Sequence, residues 1–329
     1  MGSKSEGTVG LSDRPTLLSI KQAQERLHGI IHPTPLVKSR SLDELAQRDL
    51  RFKPENLQVT GSFKIRGAFN KLSEVAQLGA HGVVTASSGN HGQAVAWAAR
   101  YFGLPAHIVV PSTAPPIKVA SAQAFGATVE ACGTRSRERV DRARAIAQER
   151  GYIYIPPYDD PAIMSGQGTI GLEILDEWPE VDTVVVPIGG GGLISGIATA
   201  IKEVRPDVRV IGVEPQGANK AWQSRRKGQR LELDHTDSIA DGLITLSLGE
   251  KTFPVIESYV DDVVTVTDRQ IRDTFWLLFT RLKLVVEPSG CAAAAFILQR
   301  LLPQGERIAA VLSGGNLDPA AISTLLPHE

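Results

Sequence analysis

Cysteine is nearly absent: Cys132 and Cys291 are the only two in 329 residues. They are too few and too far apart for a disulfide framework or a Cys-x-x-Cys metal or redox pair. A chain without bridges suits a reducing compartment, so a cytoplasmic location is the expectation. Aromatics are sparse at 5%, and neither sign of charge dominates, with 35 Lys+Arg against 36 Asp+Glu. No basic block invites nucleic acid or an anionic membrane surface, and neither is expected as a partner. The first residues lack the apolar run of a secretory signal. One uncharged stretch, 183–201, reaches membrane-span length, but Pro187 and four consecutive glycines fall inside it and would interrupt a spanning helix. It divides better into a β-branched strand, a glycine turn and an Ala/Ile-rich helix. Conventional catalytic sets are also missing: there is no G-x-S-x-G elbow, no H-E-x-x-H helix and no close Cys/His cluster.

What is present is alternation. Apolar residues make up 42% of the chain, enough for cores in roughly two domains, and strand and helix patterns alternate almost throughout, the mark of an α/β fold. Between 82 and 155 the order predicts strands at 82–86, 107–110, 128–131 and 152–155, with helices at 91–102, 115–125 and 137–150. Gly103, Gly126 and Gly151 close those helices, glycine being the residue that enters the left-handed C′ conformation freely. This predicts a small parallel sheet with right-handed crossovers. After Pro156 and Pro157 the alternation resumes, with strands at 183–187, 209–213, 262–266 and 308–312. The first helix carries a capping-box signature, Ser19 with Gln22, and should stop at Gly29. The segment 15–60 is too short to stand alone, so the expected organisation is a discontinuous larger domain, 15–75 and 158–329, and a smaller one, 76–157. Ligands would bind between the two parallel sheets, where strand C-terminal ends present loops.

Four loops look chemical. In KPENLQVTGSFKIRGA, residues 53–68, Ser62 is a candidate N-cap that puts Lys64 in the first turn of a helix. There the positive end of the macrodipole opposes an ammonium, so Lys64 is a candidate amine of depressed pKa, able to form a Schiff base; a solvated surface lysine is the ordinary alternative. In TASSGNHGQAVAWAAR, residues 85–100, Ser87, Ser88, Asn90 and His91 surround a turn whose N–H groups and hydroxyls would cradle a carboxylate, or simply cap the next helix. In PIGGGGLISG, Gly189, Gly190, Gly191 and Gly192 join a strand to a helix and suit a phosphate; a tight packing turn is the alternative. The loop matches neither the dinucleotide G-x-G-x-x-G nor a Gly-Lys-Ser/Thr nucleotide loop. In LSGGN, residues 312–316, Ser313 closes a strand facing the same cleft, where its hydroxyl could meet a ring nitrogen or merely start a turn.

Together these motifs resemble the pyridoxal-phosphate enzymes of fold type II, in the branch of serine/threonine dehydratases and serine racemase, from about residue 20 to 318. The resemblance implies two α/β domains with pyridoxal 5′-phosphate in the cleft, bound as a Schiff base to Lys64. It implies that Gly189, Gly190, Gly191 and Gly192 hold the phosphate, Asn90 the ring hydroxyl and Ser313 the pyridine nitrogen, with Phe63 packed along the ring. The implied substrate is a small β-hydroxy L-amino acid whose carboxylate rests on Ser87, Ser88, Asn90 and His91; Lys64 removes the Cα proton, the β-hydroxyl leaves, and a 2-keto acid and ammonia are released. Ser88 matches the second acid/base of serine racemase, so racemisation is an alternative, as is a specialised dehydratase of 3-hydroxyaspartate, phenylserine or a hydroxyectoine-pathway intermediate. Arg137 matches an arginine near substrate, or is an exposed charge at a helix start. A homodimer is implied. The chain departs from the family where a divalent cation is held: Glu214 and Ala218 are in place, but Lys220 stands where serine racemase has an aspartate, so no metal is expected and the ammonium should pair with Glu214. Tyr158 likewise replaces an asparagine beside the cofactor.

Overall fold

The computed structural model describes residues 13–87, 89–114, 116–299, 301 and 305–326. Strands β1 (Val37–Lys38) and β2 (Asp49–Pro54) precede β3 (Val83–Ala86), β4 (Ala106–Val110), β5 (Thr128–Ala131) and β6 (Ile153–Tyr154). Then come β7 (Thr183–Pro187), β8 (Arg209–Pro215), β9 (Asp262–Val266) and β10 (Arg307–Leu312). They form two sheets. The larger runs β1-β2-β10-β7-β8-β9, parallel except for the β1–β2 pair, and the smaller runs β5-β4-β3-β6, parallel throughout.

Central strands of the larger sheet are covered on both faces, so they read as continuous apolar runs: every residue of β7 is buried, and β10 is buried from Ile308 onward. Three strands, β5, β7 and β9, have the expected limits, and the other expected strands differ by one or two residues at an end. Strand β2 escaped the sequence pattern. Its DLRFKP alternates charged residues with Leu50 and Phe52, both buried, and it is held by six parallel pairings with β10.

Two local expectations are corrected. The first helix, Leu17–Leu27, is capped by Thr16, whose side chain accepts from Ser19 N while Ser19 reaches back to the Thr16 backbone; the box lies three residues earlier than Ser19 and Gln22 would place it. Ser62 does not cap the helix that carries Lys64. That helix, Lys64–Gln77, has Phe63 at its N-cap with no side-chain bond, and Ser62 instead pairs with Gly314 in an isolated bridge.

The same helix links the two sheets. Ile65, Phe69, Leu72 and Val75 are buried with Val83, Val95 and Ile108 of the smaller sheet and its helix Asn90–Tyr101, and Phe69 packs 4.9–6.2 Å from the rings of Phe102, Tyr101 and Trp97. Its opposite side lies along helix Pro161–Glu177, which packs on helix Gly192–Val204 of the larger sheet. Among the described residues no helix is long and apolar enough to cross a membrane.

Candidate active site

Successive residues of a helix turn by about 100°, so Lys64 and Arg66 point to nearly opposite sides. Arg66 is fully buried and makes paired bonds to Glu55, 2.8 and 2.9 Å, and to Glu173, 2.5 and 2.8 Å, with a further bond of 3.0 Å to Thr169 Oγ1. Lys53 reaches Glu173 Oε2 at 2.5 Å and also donates to the Thr34 carbonyl. Two cations and two carboxylates thus balance inside the protein, joining β2, helix Lys64–Gln77 and helix Pro161–Glu177. Unpaired, any one of them would carry a heavy desolvation cost. The charged letters of KPENLQVTGSFKIRGA are therefore a clamp that fixes where Lys64 stands.

Lys64 faces the cleft. Its Nζ donates to the Pro157 carbonyl at 2.7 Å and lies 5.1 Å from the centre of the Phe63 ring. Burial pulls the amine down to about 8, against the opposing charge of Glu287. Desolvation, more than the helix terminus, depresses this amine. The Phe63 amide donates to the Ser313 carbonyl at 3.1 Å, and the Gly315 amide to that of Gly61 at 2.9 Å, which sets the end of β10 beside the lysine. Ser313 is buried.

Asn90 opens its helix and is engaged on both sides: its Nδ2 donates to Glu287 Oε1 at 2.6 Å, and its Oδ1 accepts from Asn316 Nδ2 at 2.7 Å. Sequence reading missed Glu287 and Asn316. An acidic residue before a Pro-Ser-Gly helix start is a weak signal, and only the fold brings it to Asn90. Burial lifts the Glu287 carboxyl to about 7, helped by Asp241 and opposed by Asn90. His91 is also buried, its Nε2 3.2 Å from the Ile155 carbonyl, and burial plus the neighbouring Lys64 charge hold it down at about 3. The ring is a neutral strut between this loop and the end of β6, so any contact of residue 91 with substrate falls to its backbone. Ser87 is half-buried at the end of β3, and Arg137 is exposed in the first turn of helix Ser136–Arg150. Ser88 lies outside the described residues.

The glycine loop follows β7. Gly191 has φ +98°, a left-handed conformation, and no side chain caps the helix that begins at Gly192. Its first N–H groups are thus open to an anion. A Cβ at Gly190 would come 2.4 Å from the Tyr158 ring, and one at Gly192 2.9 Å from Tyr158 Cβ. Close packing and an anion cradle therefore both require these glycines. Burial raises the Tyr158 phenol to about 12; it is an uncharged wall of the loop. At the Glu214 position, Lys220 Nζ lies 2.9 Å from Glu214 Oε1.

These residues fit a phosphorylated aldehyde. The cleft offers an amine that loses its proton near neutrality and an uncapped helix start behind a side-chain-free bend, and Ser62, two residues before Lys64, has a buried Oγ without a partner among the described residues.

Comparison with known proteins agrees. Residues 27–314 match the family model described as pyridoxal-phosphate dependent enzyme. The chain is 41% identical to an L-threonine ammonia-lyase of Thermotoga maritima over 94% of its own length and 78% of that protein, and 45% identical to a serine racemase of Arabidopsis thaliana over 92% and 93%. A solved structure of maize serine racemase superposes with a TM-score of 0.91 at 39% identity, covering 94% of this chain and 96% of that one. The chain belongs to the pyridoxal-phosphate dependent enzyme family, with the two-sheet α/β architecture of fold type II. It is an enzyme whose cofactor is pyridoxal 5′-phosphate.

Proposed function

We propose that the protein is an ammonia-lyase that eliminates the β-hydroxyl of a small β-hydroxy L-amino acid, serine or threonine, and releases a 2-keto acid and ammonia. The observation that carries this reading is the pairing, beside one cleft, of an amine held at about 8, Lys64, with an uncharged buried hydroxyl residue, Ser313, backbone-linked to Phe63. The threonine ammonia-lyase and serine racemase likenesses support the substrate class.

Pyridoxal phosphate supplies the electron sink that lets a Cα bond of a bound amino acid break. In this chain Gly189 to Gly192 would hold its phosphate, Lys64 its aldehyde carbon, Asn90 its ring hydroxyl and Ser313 its pyridine nitrogen, with Phe63 along the ring. The N–H groups and hydroxyls of Ser87 and Ser88, with the backbone of Asn90 and His91, orient the substrate carboxylate; Arg137 would meet it only from the rim. The Lys64 amine would take the Cα proton of the bound amino acid, a role for which an amine near 8 is well matched to neutral pH. Ser313 offers a hydrogen bond without a counter-charge, which favours prompt loss of the β-hydroxyl. A discontinuous larger domain, 15–75 and 158–329, a smaller one, 76–157, a homodimeric state and a cytoplasmic setting complete the reading, the last supported by two free cysteines.

A panel of L-serine, L-threonine, 3-hydroxyaspartate and phenylserine, read for keto acid, ammonium and product enantiomer together, tests it. Keto acid and ammonium in equal amounts from serine or threonine are expected; release of neither from any substrate overturns it. Racemisation is the second reading, favoured by Ser88 in the carboxylate loop and the 45% identity to a serine racemase. Ser88→Ala should then keep elimination and lose D-serine, and a wild-type enzyme that makes no D-serine removes this reading.

A further inference from the structure

Lys220 is fully buried yet lies outside the cleft, and four oxygens surround its ammonium: Leu243 O at 2.8 Å, Glu214 Oε1 at 2.9 Å, and Ile188 O and Ala218 O at 3.2 Å. Glu214, also fully buried, accepts in addition from the amides of Ala221 at 3.1 Å and Trp222 at 2.9 Å, the first turn of helix Lys220–Lys227. An ammonium has three protons to donate and no acceptor capacity, so its protons are shared among the four oxygens, the Leu243 and Glu214 oxygens lying nearest.

The oxygens come from three stretches of chain, at 188, 214–218 and 243, and two of these flank the glycine loop. Ile188 immediately precedes Gly189, and Leu243 follows Gly242, whose carbonyl lies 2.9 Å from where a Cβ on Gly189 would stand. A buried ion pair is poor evidence of net stability; what this one supplies is geometry. We propose that the Lys220 ammonium is a built-in cation that positions the glycine loop, taking the place a bound metal ion would otherwise have among these oxygens. A divalent cation does not fit: the ammonium is already at contact distance of every oxygen and repels a second positive charge. Among the described residues no three His, Cys, Asp or Glu side chains gather to hold one elsewhere. Lys220 is thus a positioning residue, and its role rests on the reading that the loop holds the cofactor phosphate.

The test uses the holoenzyme. Wild type should keep its thermal midpoint, cofactor content and phosphorus NMR signal on chelation with EDTA and on exchange between sodium, potassium and magnesium salts. Lys220→Ala should weaken cofactor affinity about 10- to 100-fold, the range for groups that orient a ligand's own contacts, and shift the bound phosphate signal. Potassium, which can enter the vacated oxygen cage, should restore both toward wild type. Lys220→Asp would put a second carboxylate beside Glu214 and should make the thermal midpoint magnesium-dependent. Loss of cofactor from wild type on chelation, reversed by magnesium, overturns the proposal, and this arm needs no variant to fold. So does a Lys220→Ala protein with unchanged cofactor affinity and phosphate signal. Gly190→Ala separates the two readings: if it leaves the phosphate signal untouched, the loop assignment fails on its own account.

Discussion

The two faces of helix Lys64–Gln77 differ in one respect that explains most of the molecule. On the Arg66 face every charge has a partner: Glu55, Glu173, Lys53 and Arg66 satisfy one another in a buried clamp. On the Lys64 face the polar groups are under-used. The amine rests on one carbonyl, Ser62 Oγ has no partner among the described residues, and Glu287 is held by Asn90 with its carboxyl near 7. Satisfied buried charge makes a rigid support; partly satisfied groups beside it are free to take up a ligand and move a proton. Two lysines repeat the contrast, since Lys220 has four oxygens around it and Lys64 has one.

Substitutions on the two faces should therefore fail differently. Lys64→Ala is expected to lower turnover by more than the about 10²- to 10⁴-fold typical of a lost general base, while thermal unfolding stays close to wild type; a variant that melted early would erase the distinction between the faces. Borohydride treatment of the holoenzyme followed by peptide mapping should label residue 64 and no other lysine. Arg66→Met should do the reverse, costing about 3–5 kcal/mol because Glu55 is left without a counter-charge and Glu173 keeps only Lys53; urea unfolding of the holoenzyme measures it. Gly190→Ala comes next. Its Cβ would press within 2.4 Å of the Tyr158 ring, an overpacking of about 1–3 kcal/mol, accompanied by weaker cofactor retention.

The pH dependence sharpens the comparison most. Lys64 titrates at about 8 in the folded chain against an ordinary 10.5. Between those values the unfolded chain holds a proton that the folded chain has released, so this residue makes stability rise with pH across that window. In cofactor-free protein, the wild-type minus Lys64→Ala difference in thermal midpoint should climb from pH 8 toward 10.5. A difference that is flat with pH would mean the amine is solvated.

Much of this was legible along the chain. The helix-closing glycines, the β-branched run before four glycines and the lysine two places before an arginine are local signals, and the strands 128–131, 183–187 and 262–266 stand where their patterns put them. Strand β2 was hidden because Asp49, Arg51 and Lys53 dilute its apolar content. Ser62 looked like a cap because Ser often is one, but its bridge to Gly314 takes precedence. Glu287 was invisible because its partner Asn90 lies 197 residues away.

Residue order alone settled the α/β alternation and the glycine bend, since each depends on neighbours within a turn or two of the chain. Only folding decided how strongly each group holds its proton and what it touches. Lys64 and Lys220 are the same residue type, yet one is left facing a cleft and the other is enclosed by four oxygens from three stretches of the chain. Desolvation and Coulomb forces act through space, and the groups that exert them on one side chain are scattered along the whole sequence.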